Sequence, residues 1–351
     1  MSNSSRQPLI EELNTGLSPL ELFELFQSDS NSFFLDSAMD PQKLGRFSLL
    51  GTDPFLLFKS RGENVTIEQP SGPIHLAGNP FDLLGRYLEM YRLGTPGFPL
   101  PCTGGAVGYF SYDLAHFIEN LPDRALDDLQ LPESRVGFYD IMLIVDNLNR
   151  KTYLVSTGFP ETEEPARLRR AAVRISDFRR RIGELTKAKS ESVALPVSGL
   201  YSADLRSNFN RQDYIRAVDR ARQYIVDGDI FEVNLSQRYT AEIDVTPWEL
   251  YKRLRHINPA PFSSYLNFDE VKIAGSSPER FLRLQGDLVE TRPIKGTIRR
   301  GKTPEEDSVN AERLLNSAKD RAENMMIVDL ERNDLGGACR YGTVKVTELA
   351  V

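Results

Sequence analysis

Cysteine and histidine are both scarce in this 351-residue sequence. Cys102 and Cys339 offer no disulfide framework and no paired-cysteine metal spacing, which is typical of a protein from a reducing compartment. His75, His116 and His256 stand far apart in the chain, and none belongs to a motif such as His-Glu-x-x-His. The sequence therefore disfavours a zinc centre built on histidine.

Long hydrophobic runs are also missing. The longest, such as Ile141 to Val145 and Met325 to Val328, fall far short of the roughly 20 apolar residues that a membrane helix needs. Met1 to Pro8 is polar and lacks the apolar core of a secretory signal. We therefore expect a cytoplasmic protein without a membrane partner.

An excess of positive charge is absent too. The chain has 43 basic and 50 acidic residues, a net charge of -7, which repels phosphate backbones. Nucleic acid is therefore not an expected partner.

A hydrophobic fraction of 40% and a charged fraction of 26% are ordinary globular values. At this length the chain can form two domains, or one large interleaved domain.

The pattern of residues changes near position 200. From Phe33 to about Asp146, short β-prone runs alternate with Gly, Pro and Asp. Residues 161–187 predict one amphipathic helix, whose apolar positions are Leu168, Ala172, Ile175, Phe178 and Ile182. Its arginines, which we interpret as a solvated outer face without chemistry, are Arg169, Arg170, Arg174, Arg179 and Arg180. Residues 187–198 have linker composition, so we predict domains at 1–200 and 201–351.

The second half has clear helix signals. Asn210 is placed to begin a helix and Gly228 to end it, and an extended run follows from Ile230 to Tyr239. Thr303, followed by proline and two glutamates, predicts another helix start, as does Ser317 with Asp320.

Lys295 lies in a segment, Leu288 to Ile298, that we interpret as extended. Two-residue periodicity would then place Lys295 and Thr297 on one side of it. Such a lysine is either an exposed solubilising residue or a buried amine whose pKa is lowered into the nucleophilic range. From its immediate neighbours alone, the exposed alternative is favoured.

Six strings occur in a fixed order: TGGAVGYFSYD from Thr103, GDIFEVNLSQR from Gly228, NPAPF from Asn258, SSPERF from Ser276, ETRPIKGTIRRG from Glu290 and DRAENMMIVDLERNDLG from Asp320. Together they resemble the chorismate-utilising enzymes, the family of anthranilate synthase large subunits and aminodeoxychorismate synthases. The resemblance covers most of the chain. It implies an α+β fold, an α/β/β/α sandwich of two antiparallel sheets with outer helices, incomplete at its C-terminal end.

Within this family, two positions separate the reactions. Lys295 stands in the PI-x-GT string where aminodeoxychorismate synthases carry lysine and anthranilate synthases carry alanine. Glu232 stands where isochorismate and salicylate synthases carry a lysine that activates water. The resemblance therefore implies amination of chorismate at ring carbon 4, giving 4-amino-4-deoxychorismate on the route to p-aminobenzoate and folate. Lys295 would add to carbon 2, and Glu279 would donate a proton to the leaving hydroxyl.

The resemblance also implies a Mg²⁺ cofactor. Glu323 matches a glutamate that helps to hold Mg²⁺ against the chorismate carboxylates, and Thr297 is a candidate donor to substrate. Two alternatives come from the residues themselves: Glu323 could pair with Lys319 four positions earlier, and Glu279 with its neighbour Arg280.

Many family members bind tryptophan between the N-terminal strands and an NPxP segment. The matching positions here are Ser37, Leu44, Gly45, Arg46, Phe47, Pro261, Phe262 and Ser263. The ligand could be structural or inhibitory, and simple core packing of the same segments is the alternative.

The implied partner is a glutamine amidotransferase that supplies ammonia, since no cysteine nucleophile of that type is visible in this chain. The sequence stops after VKVTELAV, whereas similar proteins continue through GAPK, AIRT and GGGIV strings, a histidine and a second Mg²⁺ glutamate. Gly337, where relatives often have arginine, is a smaller departure. Two alternatives stay open: an anthranilate synthase, and a non-catalytic remnant that binds the amidotransferase or tryptophan.

Overall fold

The computed structural model describes residues 6–94, 100–122, 124, 126–191 and 204–349. The strands are β1 (Leu9–Leu13), β2 (Ser32–Asp36), β3 (Phe47–Gly51), β4 (Leu56–Arg61), β5 (Asn64–Glu68), β6 (Ile74–Ala77), β7 (Gly105–Phe110), β8 (Ser134–Tyr139), β9 (Ile141–Asp146), β10 (Lys151–Ser156), β11 (Arg206–Ser207), β12 (Tyr239–Thr240), β13 (Phe262–Asn267), β14 (Lys272–Ser277), β15 (Arg280–Gln285) and β16 (Leu288–Arg292).

The α-helices are α1 (Pro19–Glu24), α2 (Pro80–Met90), α3 (Glu164–Glu191), α4 (Arg211–Asp227), α5 (Pro247–Ile257), α6 (Pro304–Leu315) and α7 (Ala318–Ala338), with a 3₁₀ helix at Tyr112–Phe117. Of the helices in the described residues, none is both long enough and apolar enough to cross a membrane.

The larger sheet has seven strands in the order β1-β10-β9-β3-β2-β13-β14. Its pairs are antiparallel. Strands β13 and β14 come from the second half of the chain and extend a sheet built by the first half. In the β2–β13 ladder, Asp36 faces Ser263 and Ser32 faces Asn267. The two halves of the sequence therefore build one sheet together.

The second sheet has five strands in the order β6-β5-β4-β8-β7, also paired antiparallel. β11 pairs with β12, and β15 pairs with β16. Antiparallel sheets with separate helices make an α+β fold, as the resemblance implied.

Helices α1, α3 and α5 bury one face of the seven-stranded sheet. Phe23, Phe178 and Trp248 from these helices join a buried cluster with strand residues such as Phe34 and Leu143. A second cluster contains residues of the seven-stranded sheet and of β8, where the Phe33 and Tyr139 rings meet edge to face. A third fills the space between the five-stranded sheet and α2. Burial of large apolar side chains at these interfaces stabilises both sheets.

Helix α3 corrects the predicted pattern of burial. Ile175, Phe178 and Ile182 are buried as expected, but Ala171 is buried in place of Ala172, and Leu168 is 45% exposed. Ala171 and Ala172 lie four and three residues before Ile175, and both spacings fit one face of a helix, so the spacing alone does not choose between them.

The arginines of α3 are not simply a solvated face. Arg174 binds the fully buried Asp140 through Nε and Nη2, with N–O distances of 3.0 to 3.2 Å, and Arg170 donates to the Phe159 carbonyl at 2.9 Å. A buried carboxylate needs such partners, because an unpaired charge there would be costly. These two arginines therefore fasten α3 to the sheets.

Helix starts in the second half follow the capping prediction. Asn210 Oδ1 accepts from Asp213 N at 2.9 Å, and Gly228 ends α4 with a φ of +82°. Thr303 Oγ1 accepts from Glu306 N at 3.2 Å, and Ser317 Oγ from Asp320 N at 3.3 Å. The domain boundary predicted near residue 200 lies outside the described residues.

Candidate active site

The PIKGT string lies immediately after β16 and is not a strand. β16 ends at Arg292, and residues 293–300 have no regular secondary structure. Gly296 has a φ of +77°, in the left-handed region. The prediction of an extended segment as far as Ile298 was therefore wrong, and the two-residue periodicity that would align Lys295 with Thr297 is interrupted between them.

Gly296 brings this segment against the start of α7. A Cβ atom placed on Gly296 would lie 2.9 Å from the Cβ of Asp320, in the first turn of the helix. Only glycine permits both this close approach and the left-handed backbone without strain. The string thus lies beside the helix that carries Glu323.

Lys295 forms an ion pair with Glu232. The Nζ–Oε1 distance is 3.0 Å, and the two side chains are 24% and 26% exposed. Glu232 belongs to the GDIFEVNLSQR string, which leaves α4 without forming a strand until Tyr239. The predicted extended run from Ile230 is therefore mostly irregular, and it delivers a carboxylate to Lys295.

Glu279 is held by the segment that contains Lys295. Its Oε1 accepts a hydrogen bond from the backbone amide of Ile294 at 2.9 Å. The pairing with Arg280 does not form, because Arg280 binds Glu290 across the β15–β16 hairpin and lies over the Phe262 ring at 5.3 Å. The Glu279 side chain is thereby fixed next to Lys295, although the residue is exposed.

Glu323 lies on α7 one helical turn before Ile327, the buried residue of that helix. Its charge acts on Lys295 from the helix side of the site. Within the part of the chain that the structure describes, no ion pair joins Glu323 to Lys319, so the alternative of a local helix pair has no support.

The pKa of Lys295 is raised above its ordinary value, not lowered. The hydrogen bond that Lys295 Nζ donates to Glu232 is the largest cause; burial acts in the opposite direction, and the charges of Glu232, Glu323 and Glu279 add to the increase. Of the two alternatives that the sequence left open, the buried amine with a lowered pKa is therefore not the one that this structure favours. The physical reason is that three carboxylates surround the lysine and together outweigh the effect of its burial.

Glu331 was not identified from the sequence. It lies two turns after Glu323 on α7, and burial raises the pKa of its carboxyl, with the charges of Glu279 and Asp334 acting in the same direction. A hydrogen bond with Thr291 and the charge of Lys295 oppose the shift. Glu323, Ile327 and Glu331 are spaced four residues apart and therefore share one face of the helix. This spacing could have identified Glu331 from the sequence.

Glu323 is the candidate Mg²⁺ ligand. Mg²⁺ is commonly held by one or two carboxylates together with water and substrate oxygens, so a single half-buried glutamate suits it chemically. The described residues contain no group of three or more His, Cys, Asp or Glu side chains that could hold a metal by themselves.

Ser37 contacts two of the other residues predicted to bind tryptophan, Phe47 and Pro261. Its Oγ donates to the Phe47 carbonyl at 2.7 Å and lies 3.5 Å from the Pro261 carbonyl oxygen. Ser263, in the ladder opposite Asp36, donates to the Ala260 carbonyl at 3.1 Å. The N-terminal strands and the NPAPF string therefore meet at Ser37.

The loop between β2 and β3 holds the other members of this set. Gly45 is buried and leaves no room for a side chain, since a Cβ there would lie 1.7 Å from the Met39 carbonyl oxygen. Leu44 is half-buried. Arg46 Nη2 binds Asp146 Oδ2 at 2.8 Å and stacks over Phe47 at 4.7 Å. Arg46 is thus directed to a strand end of the sheet.

Comparison with known proteins identifies the family. The chorismate binding enzyme family model matches residues 32–351. The chain belongs to the chorismate-binding enzyme family. It therefore belongs among proteins that convert chorismate, and its fold is that of its structural neighbours. The anthranilate synthase component I of Streptococcus pneumoniae superposes with a TM-score of 0.68 at 24% identity, covering 93% of this chain and 69% of that one.

Relatives of two activities are similarly close to this chorismate-binding enzyme. Anthranilate synthase component 1 of Acetivibrio thermocellus is 37% identical over 334 residues, which is 94% of this chain and 67% of the relative. Aminodeoxychorismate synthase component 1 of Bacillus subtilis is 35% identical over 331 residues, 94% of this chain and 68% of the relative. The chain thus spans about two thirds of their length, and overall identity does not separate the two reactions.

Proposed function

We propose that this chain is the chorismate-aminating component of an aminodeoxychorismate synthase, which makes 4-amino-4-deoxychorismate for p-aminobenzoate and folate synthesis. The observation that carries the proposal is Lys295 in the PI-x-GT string, with its Nζ 3.0 Å from Glu232 and Glu279 bound to the adjacent amide of Ile294. An amine and a carboxyl group beside one substrate are the nucleophile and the acid that this amination requires.

In the proposed reaction, the neutral Lys295 amine forms a bond to carbon 2 of chorismate. Both conjugated ring double bonds shift, the bond from carbon 4 to its hydroxyl breaks, and protonated Glu279 supplies the proton that lets the hydroxyl leave as water. Ammonia then attacks carbon 4, both double bonds shift back, and the bond from carbon 2 to Lys295 breaks, which releases the lysine as an amine. Finally, the new ammonium group returns a proton to Glu279, which restores the acid.

Glu323 would hold Mg²⁺ in this proposal. The bound ion would neutralise the carboxylates of chorismate, which the surrounding acidic side chains would otherwise repel. Thr297 is exposed, and we propose that its hydroxyl donates to substrate.

We further propose that a glutamine amidotransferase supplies the ammonia. The relatives named above are each called component 1, which is consistent with a second component. Free ammonium salts at alkaline pH should replace the partner in a purified system.

Anthranilate synthase is the second candidate, because relatives of that name reach 37% identity. Incubation with chorismate, Mg²⁺ and ammonium, followed by chromatography and mass spectrometry of the product, distinguishes the two. We expect aminodeoxychorismate; anthranilate as the product would establish the rival. Binding of amidotransferase or tryptophan without any turnover would instead indicate a non-catalytic binding protein.

Lys295→Ala tests the assignment of the nucleophile. We expect the rate of amination at carbon 4 to fall at least about 100-fold, since the covalent route is lost. Lys302→Ala, an exposed lysine in the following segment, is the matched control and should retain the rate. A Lys295→Ala variant with full activity would remove the basis of the proposal.

A further inference from the structure

We infer that Glu232 positions Lys295 and accepts its proton as the amine adds to substrate. This inference rests on the proposed function, because it assigns the step that frees the nucleophile. From the sequence, Glu232 was noted only because isochorismate and salicylate synthases carry a lysine at the matching position.

The contact geometry selects Glu232 among the neighbouring acids. In the part of the chain described by the structure, it is the acid whose carboxylate lies within hydrogen-bonding distance of Lys295 Nζ, at 3.0 Å. Glu279 is occupied by the Ile294 amide, and Glu323 and Glu331 act on Lys295 through charge alone. Glu232 is therefore the acid placed to receive a proton directly.

The segment that carries Glu232 is fastened at both ends, so the carboxylate has a defined position. Gly228 ends α4 in the left-handed conformation. At the other end, the backbone amide of Arg238 donates to Asn208 Oδ1 at 2.8 Å, and its guanidinium binds Asp128 at 2.5 to 3.0 Å. A short loop held in this way keeps its central side chains in register with Lys295.

At rest, the pair is an ammonium and a carboxylate, each about one quarter exposed. Substrate that covers the site removes the remaining water, and loss of solvent disfavours the charged forms of both groups. One proton then passes from Nζ to Glu232. The freed lone pair forms the bond to carbon 2, and the lysine amine recovers that proton from Glu232 when ammonia expels it.

The test joins two measurements on Glu232→Gln. Acetylation of Lys295 by acetic anhydride, followed by mass spectrometry across a pH series, reports the fraction of free amine. We expect faster labelling than in the unsubstituted chain, because the neutral amide no longer holds the proton on Nζ. We expect kcat with chorismate, Mg²⁺ and ammonium to fall about 100-fold all the same, because the acceptor is gone.

Faster labelling of Lys295 together with a lower kcat distinguishes proton acceptance by Glu232 from a passive ion pair. Glu232→Asp should keep a measurable part of kcat, which shows that loss of folding does not explain the effect. The matched control is Glu12→Gln, which breaks the Lys151–Glu12 pair, at 2.9 Å, on the first strand. It should increase labelling of Lys151 and leave kcat unchanged.

Two results would overturn the inference: kcat of Glu232→Gln within about threefold of the unsubstituted chain, or unchanged labelling of Lys295. If the unsubstituted chain makes anthranilate, the proposed function fails, whereas faster labelling in Glu232→Gln would still establish the ion pair. A chain that converts no chorismate overturns both, because the proton transfer is defined by that turnover.

Discussion

The backbone amide of Ile294 donates a hydrogen bond to the carboxylate of Glu279, with an N–O distance of 2.9 Å. This contact couples the SSPERF string to the PIKGT string across the β15–β16 hairpin. It occupies one oxygen, Oε1, of the Glu279 carboxylate. Glu279 is therefore oriented by the same segment that carries Lys295.

Glu279→Gln keeps an acceptor for the Ile294 amide but removes the transferable proton. We expect kcat for amination to fall roughly 100- to 1,000-fold while KM for chorismate changes little, because the geometry is retained. Initial rates at saturating ammonium measure both constants. Glu242→Gln, an exposed acid, should behave as the unsubstituted chain. If Glu279→Gln retained its kcat, another group would have to be the acid.

Gly296→Ala should displace the lysine segment from α7. The left-handed backbone costs about 1–2 kcal/mol with a side chain, and the contact 2.9 Å from Asp320 Cβ adds overpacking of a similar size. Gly286→Ala is the control, since Gly286 has a φ of +62° with open space around it. Urea unfolding should show a larger loss for Gly296→Ala, and kcat should fall only there. Equal losses in both variants would contradict the close approach.

The Arg46–Asp146 pair predicts a dependence of stability on pH. Burial favours a higher pKa for Asp146, but hydrogen bonds from Arg46 and Asn149 outweigh it and hold the pKa below its ordinary value. A carboxyl with a lowered folded-state pKa contributes stability that is present above its unfolded pKa of about 3.9 and is lost as pH falls through the folded value.

Asp146→Asn should therefore lower the free energy of unfolding by about 1 kcal/mol at pH 7, and the difference should shrink below about pH 4. Urea melts at pH 7, 5, 4 and 3 measure it. Asp244→Asn, at an exposed position, should show no such trend. A difference that stays constant down to pH 3 would contradict the assigned shift.

Tryptophan binding near Ser37 can be tested by steric exclusion. Calorimetric titration should show that the unsubstituted chain binds free tryptophan, or extraction with acid should release tryptophan already bound. Ser37→Phe places a ring between the Phe47 and Pro261 carbonyls and should abolish binding, whereas Ser37→Ala leaves the space and should retain it. Absence of tryptophan in both assays would favour simple packing of these segments.

Local features were predictable from the sequence because their interactions are local. The caps at Asn210, Thr303 and Ser317 bind amides three residues away, so a short string contains both partners. The antiparallel α+β fold followed from the family resemblance and is confirmed by the neighbouring solved structure. The buried stripe of α3 was predicted only in part, because Ala171 and Ala172 both lie at helical spacing from Ile175 and only packing in the fold selects Ala171.

The sequence by itself determined the family, the helix starts and the identity of Lys295 and Glu279 as candidates. Only the tertiary structure decided the ion-pair partner of Lys295 and the direction of its pKa shift. Its ion-pair partner Glu232 is 63 residues away, and Glu323 approaches from a separate helix. The pKa of an amine depends on the charges that surround it in space, and no short string contains them. The sequence left the pKa of Lys295 open between two alternatives, and the carboxylates that the fold places around it raise that pKa.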